Sequence, residues 1–365
     1  MKINKYFKLY ANCILVKGSF NAIVYDLFLS RNYTLPLELA LLIEELDKFT
    51  FDEVVSKHDD LKSEITLFCD ELVKIGYAEW FDKDELALYP PLSLEWDYPS
   101  SVTNLIIEST DFKIIKKLIA FAEEFLTPAI LIIYNEIVNE AFLNFLQNEL
   151  DKSVITHVEI VTPFLSVTDK ELNRNVRLKT IWIKDNNLPP ENIEGKKVKP
   201  LDSKKYFKQD YPVFELFTES QKQNTYFNRK LYIGEKGEIQ NGPECEETYG
   251  SINDIKNVEE LKQIITTPEF QKYWFVHKEL CDVCKDCEFR HMCVDNRLPY
   301  QRKNGSWYHK VECNYNPYIS KWKGDAGYQC LEECGVIVNE KGYRRDDEKI
   351  ALINKTLWEE EPENA

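Results

Sequence analysis

No apolar run in this chain approaches the roughly 18 residues needed to cross a bilayer, so no membrane span is expected. The opening Met1-Lys-Ile-Asn-Lys-Tyr-Phe-Lys leads into an alternating stretch, not into an unbroken apolar core with a small-residue cleavage site. A reducing, cytoplasmic setting is therefore the expectation. Basic charge is also scarce: 46 Lys and Arg stand against 62 Asp and Glu, a net charge of −16. Unneutralised carboxylates repel a phosphate backbone, so nucleic acid is not an expected partner. No glycine-rich phosphate loop follows any strand-like segment. Histidine occurs five times, and no Ser/His/Asp or paired-carboxylate signature stands out.

What the chain does have is cysteine, ten in all, with five inside the 33 residues from Cys281 to Cys313. They read Cys281-x2-Cys284-x2-Cys287-x5-Cys293, followed by Cys313 in Val-Glu-Cys-Asn-Tyr-Asn-Pro. Thiolates at two-residue gaps can turn from one tight loop toward a common point, the geometry of an iron-sulfur cluster or a zinc ion. Disulfides would need an oxidising compartment, which makes metal binding the better account. The spacing favours a four-iron cluster, with zinc as the alternative. His277, His291 and His309 flank the region as substitute ligands, and Trp274, Phe275, Trp307 and Tyr308 are expected to pack around it.

The fold class expected is α/β and multidomain. Phe7, Leu9, Ala11, Cys13 and Leu15 alternate with Lys8, Tyr10, Asn12 and Ile14, then the pattern turns at Lys17-Gly18-Ser19 and resumes through Ile23, Tyr25 and Leu27, which is a hairpin. Pro36 opens a helix with the stripe Leu39, Leu42, Ile43 and Leu46; Thr50-x-x-Glu53 supplies a capping box; a third helix carries Leu61, Ile65, Phe68, Cys69 and Leu72 and stops at Gly76. With Tyr77 to Phe81 as a wing, residues 1–85 read as a winged helix. Its third helix displays Glu64, Asp70 and Glu71, poor chemistry for DNA, so an extended peptide added as a strand is the better ligand.

A proline-rich linker, Tyr89 to Pro99, leads to strands at Val102 to Ile107, Ala129 to Ile133, Val158 to Val161 and Leu178 to Ile183, with helices at Asp111 to Phe125 and Glu140 to Leu150. Such alternation implies a parallel sheet; four strands make an incomplete barrel or a small open sheet over 100–220. Glu108, Asn135 and Pro163 at the strand ends suggest no catalysis, and no residue is assigned a catalytic role. Glu235-Lys236-Gly237 marks a hairpin, and a helix is expected from Val258 through Tyr273. Cys330 and Cys334 are four apart, on one face of a helix closed by Gly335, and Glu359 to Glu363 form an acidic end.

The hairpin, Cys245 after it, the Gly-x-Ile turn at Gly250, then Cys284-x2-Cys287-x5-Cys293 and Cys313 resemble the SPASM domain, the C-terminal module of many radical-SAM peptide-modifying enzymes. That resemblance implies a SPASM-like domain over 225–322, a helical extension over 323–365, and Cys284, Cys287, Cys293 and Cys313 as ligands of one auxiliary 4Fe-4S cluster. The position of a further family cysteine is Arg297, which leaves Cys245 as an orphan thiol or spare ligand and Cys281 as a possible exchange partner. No Cys-x3-Cys-x2-Cys follows the first strand of the sheet, so SAM is not expected. Together the segments look like the SPASM-domain maturase of grasp-with-spasm (graspetide-type) systems. The resemblance implies a peptide recognition element somewhere in 1–85, a ribosomally made precursor peptide and an ATP-grasp ligase as partners, and an accessory role in presenting the peptide. A divergent iron-sulfur redox enzyme and a zinc-stabilised scaffold are the alternatives.

Overall fold

The structure, a computed structural model, describes residues 4–184, 197–201 and 211–358. By contact the chain forms two units: Met1–Trp96 with Lys208–Thr225 and Val276–Ala365, and Asp97–Phe207 with Tyr226–Phe275. Among the described residues no helix is long and apolar enough to cross a membrane.

The first unit begins with β1 (Tyr6–Leu9), β2 (Cys13–Lys17), β3 (Asn21–Asp26) and β4 (Arg31–Pro36), then α1 (Leu37–Leu46), α2 (Phe51–Lys57), α3 (Lys62–Lys74) and β5 (Ala78–Phe81). The expected hairpin is β2–β3, in register from Cys13↔Asp26 to Lys17↔Ala22, and β4 adds an antiparallel third strand. The alternating run does not continue unbroken from Phe7. It divides at Tyr10–Asn12, and β1 pairs with β5 instead. The Thr50–Glu53 capping box forms, with Glu53 Oε2 accepting from Thr50 N at 2.8 Å. α3 buries Ile65, Phe68, Cys69 and Leu72 at helical spacing, and the left-handed Gly76 (φ 75°) ends it. At the end of β3 the Asp26 carboxylate, 1% exposed, accepts from Asn12 Nδ2 (2.7 Å), Arg31 Nε (2.8 Å) and the amides of Phe28 and Leu29.

The second unit holds β6 (Asn104–Glu108), α4 (Phe112–Glu124), β7 (Ala129–Ile133), β8 (Val138–Asn139), α5 (Glu140–Leu150), β9 (His157–Thr162), β10 (Leu165–Ser166), α6 (Asp169–Arg174), β11 (Leu178–Ile183) and β12 (Lys197–Pro200). α7 (Phe214–Ser220) belongs to the first unit, and β13 (Lys230–Ile233), β14 (Ile239–Gln240) and α8 (Val258–Ile265) return to the second. The result is a mixed α/β arrangement around a seven-stranded sheet of order β12-β11-β9-β7-β6-β13-β14, parallel except for β14, with β8 and β10 forming a small parallel pair. The four strands read from sequence are its centre. The sheet is larger than expected because β12 extends one edge and β13 the other. The Glu235–Gly237 hairpin is present, with Gly237 at φ 91°, but β13 runs parallel to β6 from Lys230↔Asn104 to Ile233↔Ile107. Leu105, Ile107, Ile130, Ile132, Ile160 and Ile181 stand opposite one another in register, so they share one face of the sheet, and that face is buried. Asp111 and Asn139 cap α4 and α5 through Lys113 N (2.7 Å) and Phe142 N (3.0 Å). α8 stops at Ile265, short of the expected Tyr273, because Pro268 cannot continue a helix.

The cysteine-rich C-terminal region returns to the first unit with β15 (Pro299–Gln301), β16 (Trp307–His309), β17 (Tyr315–Asn316), β18 (Lys321–Trp322), β19 (Val336–Asn339), β20 (Gly342–Arg345) and α9 (Asp347–Trp358). These strands pair two by two, with no sheet larger than a hairpin. The helix expected over Cys330 and Cys334 is a single turn closed by Cys334 N to Cys330 O at 3.0 Å, because Gly335 turns left-handed at φ 85°. The acidic segment from Glu359 lies outside the described residues.

Asp26 supplies a test of the first unit. Burial pushes its carboxyl up, but the Arg31, Leu29, Asn12 and Phe28 bonds outweigh that and the net displacement is downward. A carboxylate held below its unfolded pKa stabilises the fold above that value, and the contribution fades as pH falls through the folded one. Asp26→Asn should lose about 1–3 kcal/mol at neutral pH, with the gap to wild type closing below roughly pH 4, as read by urea unfolding at several pH values.

Candidate metal centre

The segment from Val276 to Cys313 is built of turns and one short strand pair, β15–β16. One 3-10 turn spans Lys278–Leu280 and another Cys284–Asp286, where Cys287 N donates to Cys284 O at 3.1 Å. Val283 enters the second turn at φ 68°, a left-handed conformation that is strained for a β-branched residue and persists only where the surroundings enforce it. Cys293 is tied through its carbonyl to Thr225 Oγ1 at 2.7 Å, and Cys313 lies two residues before β17. The structure brings Cys284, Cys287, Cys293 and Cys313 to the lining of one cavity of about 50 Å³. Cys281 is buried but does not line it, and Cys245 is buried in the other unit.

Among the described residues, one set of potential ligand atoms falls within 4.8 Å of one another, and it is Cys284, Asp295 and His309. Asp295 already carries two cations, Lys278 Nζ at 2.7 Å and Arg297 Nη2 at 2.7 Å. A metal bound to that trio would have to displace both, so the trio is a buried ion network beside the cysteines. The four thiols suit a metal cofactor by their chemistry and convergence, although their sulfurs are not gathered around a single point.

The hairpin β2–β3 holds the cysteine loop in place. Ser19 N donates to Asp286 O at 2.7 Å, Arg290 Nη1 bridges Lys17 O (2.7 Å) and Cys287 O (3.0 Å), and Tyr25 OH donates to Glu288 O at 2.5 Å. On the far side Tyr318 and Tyr343 both donate to Asp286 Oδ2, at 2.8 and 2.9 Å, and Tyr315 donates to Glu288 Oε1. Gly18 sits where the hairpin meets the loop, and a Cβ there would stand 2.9 Å from both Glu288 N and Asn21 O.

Burial dominates the electrostatics. It pushes the Cys281 and Cys293 thiols up to about 12 and raises those of Cys284 and, further, Cys287. Burial also takes the Glu288 carboxyl up to about 7. It drives His309 down to about 3, helped by Lys278 and Arg297, and His291 to about 4, helped by Arg290. For Lys278 burial works downward, but the Asp295 carboxylate reverses it and the ammonium is held well above its ordinary value. Asp295 is displaced the other way, with burial raising its carboxyl and Lys278 and Arg297 pulling it far below the carboxylate range. Such thiols become thiolates only against a nearby positive charge or a metal.

His309 lines the cavity. His291 does not, and its Nδ1 faces Ser220 Oγ at 2.9 Å; His277 is likewise outside the lining. The expected aromatic jacket is absent from the lining: Trp274 packs in the core of the sheet unit, Phe275 is 56% exposed, and Tyr315 is the aromatic residue at the cavity. Sequence reasoning missed Lys278 and Asp295 and met Arg297 only as the occupant of a family cysteine position. The signal it passed over is a charged pair, Asp295 and Arg297, two and four residues after Cys293. It also missed that Glu108 and Asn135 join a chain at the sheet's strand ends, with Lys184 Nζ donating to Asn135 Oδ1 (2.6 Å), Asn135 Nδ2 to Glu108 Oε1 (3.1 Å), and Tyr232 OH to Glu108.

No protein-family model matches the chain, and no curated protein matches it. Among solved structures, the crystal structure of Streptococcus suis SuiB bound to S-adenosylmethionine aligns with 49% of this chain and 48% of its own, at 11% identity. The TM-score is 0.19, too low to define a common fold, and the alignment spans about half of the solved chain, 48%.

The hairpin contact predicts that Gly18→Ala destabilises the first unit by about 1–3 kcal/mol and lowers metal retained per chain after gel filtration. Gly342→Ala, where an added Cβ meets nothing within 4 Å, should change neither.

Proposed function

We propose that the chain is an accessory maturation protein of the SPASM type used in grasp-with-spasm systems. It carries one 4Fe-4S cluster on Cys284, Cys287, Cys293 and Cys313, binds a ribosomally made precursor peptide, and presents it to an ATP-grasp ligase. The observation that carries this reading is the convergence of these four cysteines on the lining of one cavity. Their spacing in the sequence, with two-residue gaps as in ferredoxin runs, favours a cluster over zinc. The cavity of about 50 Å³ is several times the roughly 10–15 Å³ that one water-sized body takes, which also favours a multi-atom occupant.

The role of the cluster in this reading is structural: it ties together a turn-rich segment that has little apolar core of its own. The connection between β6 and α4, residues 109–111, is too short for a three-thiolate loop and contains no cysteine, in keeping with a protein that does not cleave SAM. The precursor is assigned to the winged-helix part, residues 1–85. There β2 pairs with β3 alone among the described residues. A groove of about 640 Å³ is lined by Leu9, Tyr10, Ile14 and Leu15 from that part and by Leu86 and Leu92 from the segment that follows it. An open strand edge with apolar pockets beside it suits strand addition, main-chain bonds giving affinity and the pockets giving register.

Two measurements test the two halves of the proposal. Anaerobically purified protein should contain about four irons with matching acid-labile sulfide, lost in Cys284→Ala, and should leave SAM intact. Stoichiometric zinc without sulfide, or SAM cleavage, would overturn that half. For the other half, Leu86→Glu should weaken precursor binding at least tenfold, on the order of 1.4 kcal/mol, with metal content unchanged; wild-type affinity would rule out the groove. A point variant is needed because removing residues 1–85 would also remove the hairpin that holds the cysteine loop.

A further inference from the structure

Two buried cations share one carboxylate next to the cysteine cavity. The side chains of Lys278, Arg297 and Asp295 are 5%, 11% and 7% exposed, and each cation lies 2.7 Å from Asp295 Oδ2. Lys278 and Arg297 line the cavity, whereas Asp295 does not. Two cationic side chains are therefore among the lining residues, and the carboxylate they share is not. The other charged lining residues are engaged elsewhere. Asp282 is paired with buried Arg302 at 2.6 Å and with Lys285 at 2.8 Å, Arg290 donates to two backbone carbonyls, and Glu312 accepts from Leu331 N at 2.8 Å.

A buried charge without a counter-charge is costly, and one Asp295 cannot balance two cations. The excess points to an anionic occupant. A doubly positive zinc ion or cluster core held by four thiolates is left doubly negative, so either would supply the missing charge. The contact that links wall and ligand is also present: Arg297 Nη2 lies 3.9 Å from Cys284 Sγ, while Arg297 Nη1 is anchored on Val311 O at 2.8 Å.

We infer that Arg297, backed by Lys278 and Asp295, is a positioning residue that orients Cys284 as a thiolate donor and supplies the counter-charge of a dianionic four-thiolate centre. The inference rests on the proposed metal site but not on which metal fills it. Hydrogen bonds and charges around cluster sulfurs set the reduction potential. Reduction adds negative charge, so removing a neighbouring cation disfavours it and removing a neighbouring anion favours it.

The test uses the full chain, purified anaerobically, as wild type, Arg297→Met, Arg297→Lys and Asp295→Asn, with near-UV circular dichroism to verify folding. Redox titration of the cluster absorption should show a lower midpoint for Arg297→Met, by roughly tenfold in the reduced-to-oxidised ratio at fixed potential, about 59 mV for one electron. Asp295→Asn should move the midpoint upward and Arg297→Lys should stay near wild type. Opposite signs for the first two are the signature, since structural damage alone does not produce them. Unchanged midpoints, or shifts of the same sign, would overturn the inference. Should Arg297→Met not fold, the sign of Asp295→Asn decides. If the wild type holds zinc, the iron-sulfur reading falls, and zinc release to a chelator decides this one: about tenfold faster release from Arg297→Met, restored by Arg297→Lys, supports it, and equal rates refute it.

Discussion

The first unit depends on the backbone contact between the β2–β3 hairpin and the cysteine loop. Lys17, Ser19 and Tyr25 meet Arg290, Asp286 and Glu288 across more than 260 residues of sequence. The loop has few apolar side chains to bury and no strand longer than three residues before β19, so its carbonyls need partners from elsewhere. The hairpin supplies them, and Tyr315, Tyr318 and Tyr343 supply the rest from the other side. A residue as small as Gly18 is required at the seam because the two backbones approach too closely for a side chain.

That framework places charge as well as shape. Asp282 with Arg302 and Asp295 with Lys278 and Arg297 are buried ion groups in a region of hydrophobic poverty. Buried ion pairs contribute little net stability but are costly to break, so they specify the arrangement of the loop more than they strengthen it. The left-handed Val283 belongs with them: a strained residue held by its surroundings immediately before the first cysteine of the cavity.

Local signals in the sequence were reliable where one principle acted alone. The strand Ala129–Ile133, the helix Glu140–Leu150, the Thr50 capping box and the Glu235–Gly237 turn follow from periodicity, caps and turn chemistry, and the structure has each of them. Long-range pairing was not legible. Nothing in Lys230–Ile233 says that it joins β6, because an apolar strand carries no address for its neighbour. The same limit applies to the site. Cysteine spacing pointed to the run from Cys281 to Cys313 and the SPASM resemblance to four of its five thiols; those four line one cavity and Cys281 does not. Lys278 and Arg297 were invisible as wall residues because a charged residue in a polar loop reads as solvated until its burial is seen.

The discontinuity of the first unit has a consequence for how the protein is made. The hairpin is translated well before its seam partners, since Lys17, Ser19 and Tyr25 bond to Arg290, Asp286 and Glu288. Chains grow at about 5–20 residues per second, so the hairpin waits through some tens of seconds of synthesis with Gly18 and Tyr25 uncovered. The sheet unit, complete by Phe275, can form in that interval. The cavity cysteines follow both the hairpin and the sheet unit, and Tyr315, Tyr318 and Tyr343, which hold the loop from the other side, follow them, so the site is complete only once Tyr343 has been translated.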